Sequence, residues 1–181
     1  SGRLTRTKGF GRLVAGCARA HQAGVDLELT VLGDGRLYEE LKSQAQKLGF
    51  AERLHMPGWV PYSEVHNYLA QAHAFVLLAD STYHDGLPNV VLEAMACGRP
   101  VILSPLPAAH EAVESGREGI VLDDPNDLNA FVDVLRKLAE KPDELLQMGL
   151  AARARVAAEF DAEVHIRKLA NLFDAQLAMG D

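Results

Sequence analysis

Cysteine is scarce. The 181 residues contain two, Cys17 and Cys97, which form no CxxC pair, so neither a disulfide scaffold nor a thiolate metal centre organises this chain. Both fall in apolar helical patterns, as buried free thiols of a reducing compartment do. Positive charge is also in deficit: 18 Lys+Arg stand against 25 Asp+Glu, a net charge of −7. Sequence-independent binding to nucleic acid or anionic lipid needs a basic footprint that is absent here, so any anionic ligand must be met by local groups. Long apolar runs are missing too. The longest, residues 74–79, is far below the ~20 residues that span a bilayer. No signal peptide is read, and the expected location is cytoplasmic. There is no GxSxG, HExxH, GxxxxGK[ST] or histidine pair at metal spacing, so neither a bound metal nor a cofactor is expected. What is present is 48% hydrophobic residues, enough for the core of one domain, with no repeat or linker.

Short apolar runs alternate with longer segments of helical period. Strands are expected at 27–33, 53–56, 74–79, 100–104 and 119–122, and helices at 8–22, 36–48, 62–71, 88–97, 108–114, 126–140, 142–159 and 162–177. The runs are mostly apolar without alternation, which suits parallel strands covered on both faces. The expected fold is therefore α/β, a Rossmann-like doubly wound parallel sheet with helices on both faces. Ser63, Gly98 and Pro125/Asp127 read as helix punctuation, and Asp123-Asp124 as capping acids. The chain opens at Ser1-Gly2-Arg3-Leu4 without a preceding strand, so a βα unit lacks its β, and the expectation is one half of a larger molecule.

Residues 79–100, ADSTYHDGLPNVVLEAMACGRP, read as a strand end, a polar loop and a helix stopped by Gly98. In an open parallel sheet, ligands sit beyond the carboxyl ends of the strands. A helix starting there points free amides, those of Asn89, Val90 and Val91, at the crevice and makes an anion site. Gly86 allows close backbone approach. The helix is apolar almost all round, which implies burial, yet it carries Glu93. That carboxylate leans toward the helix start and is suited to accept from the two hydroxyls of a ribose. The ordinary alternative is a solvated or salt-bridged glutamate. Asp85, eight positions earlier, lies in the loop at the same mouth, where it would serve another part of the ligand; an ordinary turn aspartate before glycine is the alternative. His84 beside it reads as solvated.

Gly2-Arg3-Leu4-Thr5-Arg6-Thr7-Lys8-Gly9 is a second phosphate candidate. Arginine grips two phosphate oxygens and lysine adds a mobile charge, each charged hydrogen bond contributing roughly 1.5–3 kcal/mol, against about 0.3–1 kcal/mol for a helix end. The cations should dominate affinity and the amides orientation. A surface basic run is the alternative. Gly33-Asp34-Gly35 forms a further glycine turn at a strand end; a lone GxG reads first as a plain turn, and Gly33 is carried as a binding candidate. Trp59, in Pro57-Gly58-Trp59-Val60, either flanks a base or anchors packing.

Together these residues resemble the C-terminal, donor-binding domain of retaining group-1 glycosyltransferases of the GT-B fold. Asp85–Glu93 with the trailing EAMACGRPV resembles the family's two acids separated by seven residues, and GRLTRTKG its G-R-L-x-x-x-K-G turn. The resemblance implies that Arg3 and Lys8 bind the donor diphosphate and stabilise the leaving group. It implies that Glu93 holds the ribose, that Leu87, Pro88, Asn89, Val90 and Val91 contact sugar or phosphate, and that Gly58, Trp59 and Val60 lie by the base. Gly2 and Gly33 belong to the substrate-binding set. The family's first acid is usually glutamate; Asp85 is a methylene shorter, which implies altered geometry toward the transferred sugar. The implied activity is metal-independent retaining transfer of a hexose from a nucleoside-diphosphate sugar, such as a UDP-sugar, in polysaccharide or glycolipid synthesis. An N-terminal acceptor-binding domain of the same protein would be the partner, without which the domain transfers poorly. Peripheral membrane association through that half is left open, as are donor base, sugar and acceptor. The competing readings are a non-catalytic nucleotide-sugar-binding module, a nucleotide-sugar epimerase half, and a structural partner module using the terminal helices.

Overall fold

The computed structural model describes residues 1–80, 82, 83, 86–161, 163, 164, 166, 167, 170, 171 and 173. Five strands, β1 (Leu29–Leu32), β2 (Leu54–Gly58), β3 (Phe75–Leu77), β4 (Val101–Leu103) and β5 (Gly119–Val121), alternate with helices α1 (Phe10–Gln22), α2 (Tyr38–Lys47), α3 (Tyr62–Gln71), α4 (Asn89–Ala96), α5 (Ala109–Ala112), α6 (Leu128–Glu140) and α7 (Pro142–Glu159). Of the helix expected at 162–177, residues 163, 164, 166, 167, 170, 171 and 173 are helical, and the rest lies outside the described residues. Among the described residues no helix is long and apolar enough to cross a membrane.

All strand pairs are parallel. The absence of polar alternation has the expected cause. Leu78 and Ile102 belong to a core shared with α1, α2 and α6, whereas their neighbours Phe75, Leu77, Val101 and Leu103 belong to a core shared with α3, α4 and α7. Successive side chains enter opposite faces, and both faces are covered. Each fully buried Val, Leu, Ile or Phe contributes about 1.5–3 kcal/mol, so the strands are held by layers on either side. Just before β5, buried Glu118 accepts from Glu114 N–H at 2.8 Å and lies 3.7 Å from Arg155 of α7, which ties that helix to the sheet.

The sheet is in two parts, order β1-β2 and order β3-β4-β5. A cavity of about 670 Å³ separates them, lined by the facing edges of β1 and β3 and by α1, α3, α6 and α7. Phe75 N–H donates to Pro100 C=O and Leu77 C=O accepts from Ser104 N–H. Strand alternation therefore turns the backbone groups of Val76 toward the slot.

Several local expectations shift. The first helix starts at Phe10, after a 3₁₀ turn, Arg6–Lys8, that ends at left-handed Gly9. Ser63 lies inside the first turn of α3, which follows Pro61. Asp127, not Asp123-Asp124, caps α6 by accepting from Asn129 and Ala130 N–H at 3.0 Å, while Asp124 closes the turn before it. Cys17 is buried, and desolvation pushes its thiol up to about 12; Cys97 is only half-buried.

Candidate functional site

Beyond the carboxyl ends of β1, β2 and β3 the chain makes tight backbone contacts. Gly2 N–H donates to Leu32 C=O at 2.9 Å, Leu4 N–H to Asp34 C=O at 2.9 Å, Gly33 N–H to Gly58 C=O at 2.8 Å, and Asp80 N–H to Thr7 C=O at 3.0 Å. The turn 2–9 is thus fastened to both parts of the sheet. Gly33 proves to be more than a plain turn residue: its φ is 125°, and an added Cβ would lie 2.0 Å from the carbonyl oxygen of Gly2. Gly9 has φ 71°, and its Cβ would lie 1.8 Å from Leu78 O. Only glycine permits these approaches.

The cations ride on this turn. Lys8 Nζ lies 2.8 Å from where a Gly2 Cβ would stand, so its ammonium covers Gly2. Arg3 is exposed on the same turn. Neither forms an ion pair among the described residues, whereas neighbouring Arg6 reaches Glu40 at 3.8 Å. Two cations on a glycine turn, without neutralising carboxylates, suit an anion.

The loop after β3 is pinned at its root. Arg12 of α1 donates to Leu78 C=O at 3.1 Å, lies 3.5 Å from Asp80, and reaches Asn126 at 3.0 Å. Asp80 also accepts from the Thr82 hydroxyl and, at 2.9 Å, from Thr82 N–H. The Thr82 hydroxyl, opposed in part by desolvation and helped by Arg12, holds the Asp80 carboxyl below its ordinary range. His84 and Asp85 lie outside the described residues.

Half-buried Gly86, Leu87 and Pro88 lead into α4. Gly86 has φ 71° with nothing within 4 Å of an added Cβ, so the space it leaves opens outward, not onto protein backbone. No described side chain caps α4. Of its expected free amides one is occupied, because Val91 N–H donates to Pro88 C=O at 2.9 Å. Asn89 and Val90 remain as the donors for a ligand. Burial all round also fails: Val91, Ala94 and Met95 are buried, but Glu93 is half exposed. Its Oε1 accepts from the Tyr62 hydroxyl at 3.2 Å. Trp59, between β2 and α3, is 73% exposed, so it does not anchor packing, and Val60 beside it is half-buried.

Contacts therefore run from Lys8 over Gly2 to Gly33 and Gly58, next to Trp59. At the far end of the same turn, Tyr62 meets Glu93. Sequence reasoning missed Tyr62, Arg12 and Asp80. Asp80-x-Thr82 is a readable Asx-turn signal; Tyr62 and Arg12 carry no local signal, since each matters through a partner distant in sequence. Among the described residues no cluster of three or more His, Cys, Asp or Glu is placed to hold a metal.

The family description "Glycosyl transferases group 1" matches residues 1–155. The chain belongs to that family. This group 1 glycosyltransferase chain is 31% identical over 176 residues to the amylovoran biosynthesis glycosyltransferase AmsK of Erwinia amylovora, covering 95% of this chain and 43% of that protein. It is 30% identical over 178 residues to a GDP-mannose-dependent monoacylated alpha-(1-6)-phosphatidylinositol monomannoside mannosyltransferase of Corynebacterium glutamicum, covering 96% and 46%. The crystal structure of Anabaena HepE in complex with UDP superposes with a TM-score of 0.81 at 20% identity, covering 96% of this chain and 48% of that one. The chain spans less than half the length of the curated relatives it matches. Its parallel strands and flanking helices have the fold of one Rossmann-like half of the GT-B architecture. In this chain the turn with Arg3 and Lys8 packs against the carboxyl ends of the strands, and the start of α4 with Glu93 follows the loop after β3. That arrangement can bind an anion and hydrogen-bond hydroxyls.

Proposed function

We propose that this chain is the donor-binding half of a retaining glycosyltransferase, taking a nucleoside-diphosphate sugar and supporting transfer of its hexose to an acceptor hydroxyl. One observation carries the reading: two cations without described ion-pair partners, Arg3 and Lys8, ride a glycine turn fastened across the strand ends. The diphosphate sits on them, oriented by the amides of Asn89 and Val90; Leu87, Pro88 and Val91 shape the helix start. Glu93 accepts from the ribose, Trp59 and Val60 flank the base, and Asp85 is assigned to the transferred sugar from its place in the sequence motif.

In the proposed reaction the bond between the anomeric carbon and the diphosphate oxygen breaks while the acceptor hydroxyl enters on the same face. Arg3 and Lys8 stabilise the negative charge gathering on the departing diphosphate, without a metal. No general base is assigned within this chain. The acceptor comes from a second domain of the same protein, and the slot between β1 and β3 seats a further parallel strand that joins the two parts of the sheet. A nucleotide-sugar-binding module without catalysis would share the site but not the turnover, and an epimerase half would act on the donor without acceptor.

Calorimetric titration with UDP, GDP and ADP and their sugar conjugates tests the site. One of the three bases should bind selectively, and Arg3→Ala or Lys8→Ala should each weaken it about tenfold or more, as loss of a charged hydrogen bond implies. Binding unchanged in both variants overturns the reading.

A further inference from the structure

Tyr62 is 77% exposed. A ring so placed buries little apolar area, so packing against the core does not account for it. Its specific contact is polar: the phenol hydroxyl donates to Oε1 of Glu93 at 3.2 Å, from one helix to another thirty-one residues away in sequence. Tyr62 is the first residue of α3 and follows Pro61 at φ −56°, so the pyrrolidine ring sets the backbone from which the phenol projects. Glu93 lies on the neighbouring helix. It stands on the open side of α4, whose buried side chains are Val91, Ala94 and Met95, and no described cation pairs with it. A glutamate with three free torsions is a poor acceptor for a rigid diol unless something selects its rotamer.

We infer that Tyr62 is a positioning residue for Glu93, holding one carboxylate oxygen so that the other, with the remaining lone pairs, is presented to the ribose hydroxyls. This rests on the donor-site reading above. The chemistry agrees with the geometry. A phenol is a neutral donor, so it orients the carboxylate without cancelling the charge that strengthens hydrogen bonds to a diol. The hydrogen bond to Glu93 also raises the phenol pKa above its ordinary value, as donation to a carboxylate does. Trp59, three residues earlier and 73% exposed, stands on the base side, so ring and hydroxyl functions are divided between two aromatics.

The test compares uridine, guanosine and adenosine diphosphates with their 2′-deoxy counterparts on wild type, Tyr62→Phe, Tyr62→Ala and Glu93→Gln. The readout is the ratio of deoxy to ribo dissociation constants for the nucleotide that binds. Wild type should prefer the ribonucleotide, and Glu93→Gln should bring the ratio close to one. Tyr62→Phe should shrink the ratio about three- to tenfold, the range expected for one hydrogen bond, with affinity for the deoxynucleotide, which keeps only the 3′ hydroxyl, falling less than that for the ribonucleotide. Independently of any ligand, the Tyr62 ring carbons followed by NMR should titrate at lower pH in Glu93→Gln than in wild type. A ratio lost in Glu93→Gln but intact in Tyr62→Phe overturns the inference and leaves the donor site standing. Equal losses of ribo and deoxy affinity in Tyr62→Ala alone assign the ring to base stacking and also overturn it. A wild-type ratio of one removes Glu93 from the ribose and takes both readings down together.

Discussion

At the scale of single residues, the site depends on pairs. Asp80 is the clearest case, because the loop that leads to α4 is rooted on it through Thr82 and through Arg12 at 3.5 Å. Its folded-state pKa is depressed, so the stability it contributes is present above the ordinary aspartate value of about 3.9 and is lost as pH falls through the lower folded value. Asp80→Asn keeps the shape and removes the charge. It should cost about 1 kcal/mol near neutral pH, measured by urea unfolding, and that difference should shrink as pH falls below the ordinary aspartate value and through the lower folded one. A difference that stays constant with pH would show that the charge is not what matters. Asp80 also marks the limit of what the residues reveal by themselves. Arg3, Lys8 and Glu93 were legible because each violates its surroundings: cations on a glycine turn, an acid in an apolar helix. Arg12 and Tyr62 were not, because an arginine on a helix and a tyrosine at a helix start look ordinary until their partners, sixty-six and thirty-one residues away, are known. Val91 was misread for a related reason. Helix starts leave amides free in general, but here the Pro88 carbonyl turns back to take one of them.

At the scale of elements, apolar runs without alternation correctly announced parallel strands, and punctuation placed most helices within a residue or two. Most strand ends were overestimated, as at β1, where pairing spans Leu29–Leu32 and the apolar run begins at Leu27, while β2 runs past the expected 53–56 to Gly58. Hydrophobicity reports burial, whereas pairing also needs a neighbour. The same distinction explains the divided sheet. Leu29, Val31 and Phe75 are buried, yet the edges they sit on face a slot of about 670 Å³ instead of each other. If that slot seats a parallel strand, extending the chain before Ser1 by five β-branched apolar residues should raise the melting temperature by about 5 °C. Burial of about 1.5–3 kcal/mol per side chain equals or exceeds an ordering cost of about 1.5 kcal/mol per residue, and each net kcal/mol is worth about 2–4 °C at this size. A Gly/Ser extension of equal length is the control. Equal melting temperatures for the two extensions would contradict the strand reading.

For the whole molecule, the layers matter because of where they bring the strand ends. Two cores cover the two faces, and the parallel strands then deliver Gly33, Gly58 and Asp80 to one end, where the turn 2–9 closes over them. Membership of the group 1 glycosyltransferases agrees with that placement, and the central claim is that this end of the sheet holds a nucleoside diphosphate. The most direct measurement is an NMR titration of the chain with UDP, GDP and ADP, following backbone amides and the single indole. One nucleotide should shift the amides of Gly2, Arg3, Asn89 and Val90 and the indole of Trp59 together, with one dissociation constant, and leave Thr30 and Val76 in the slot unmoved. Shifts confined to the slot, or none at the turn and α4 with any of the three, would contradict that claim.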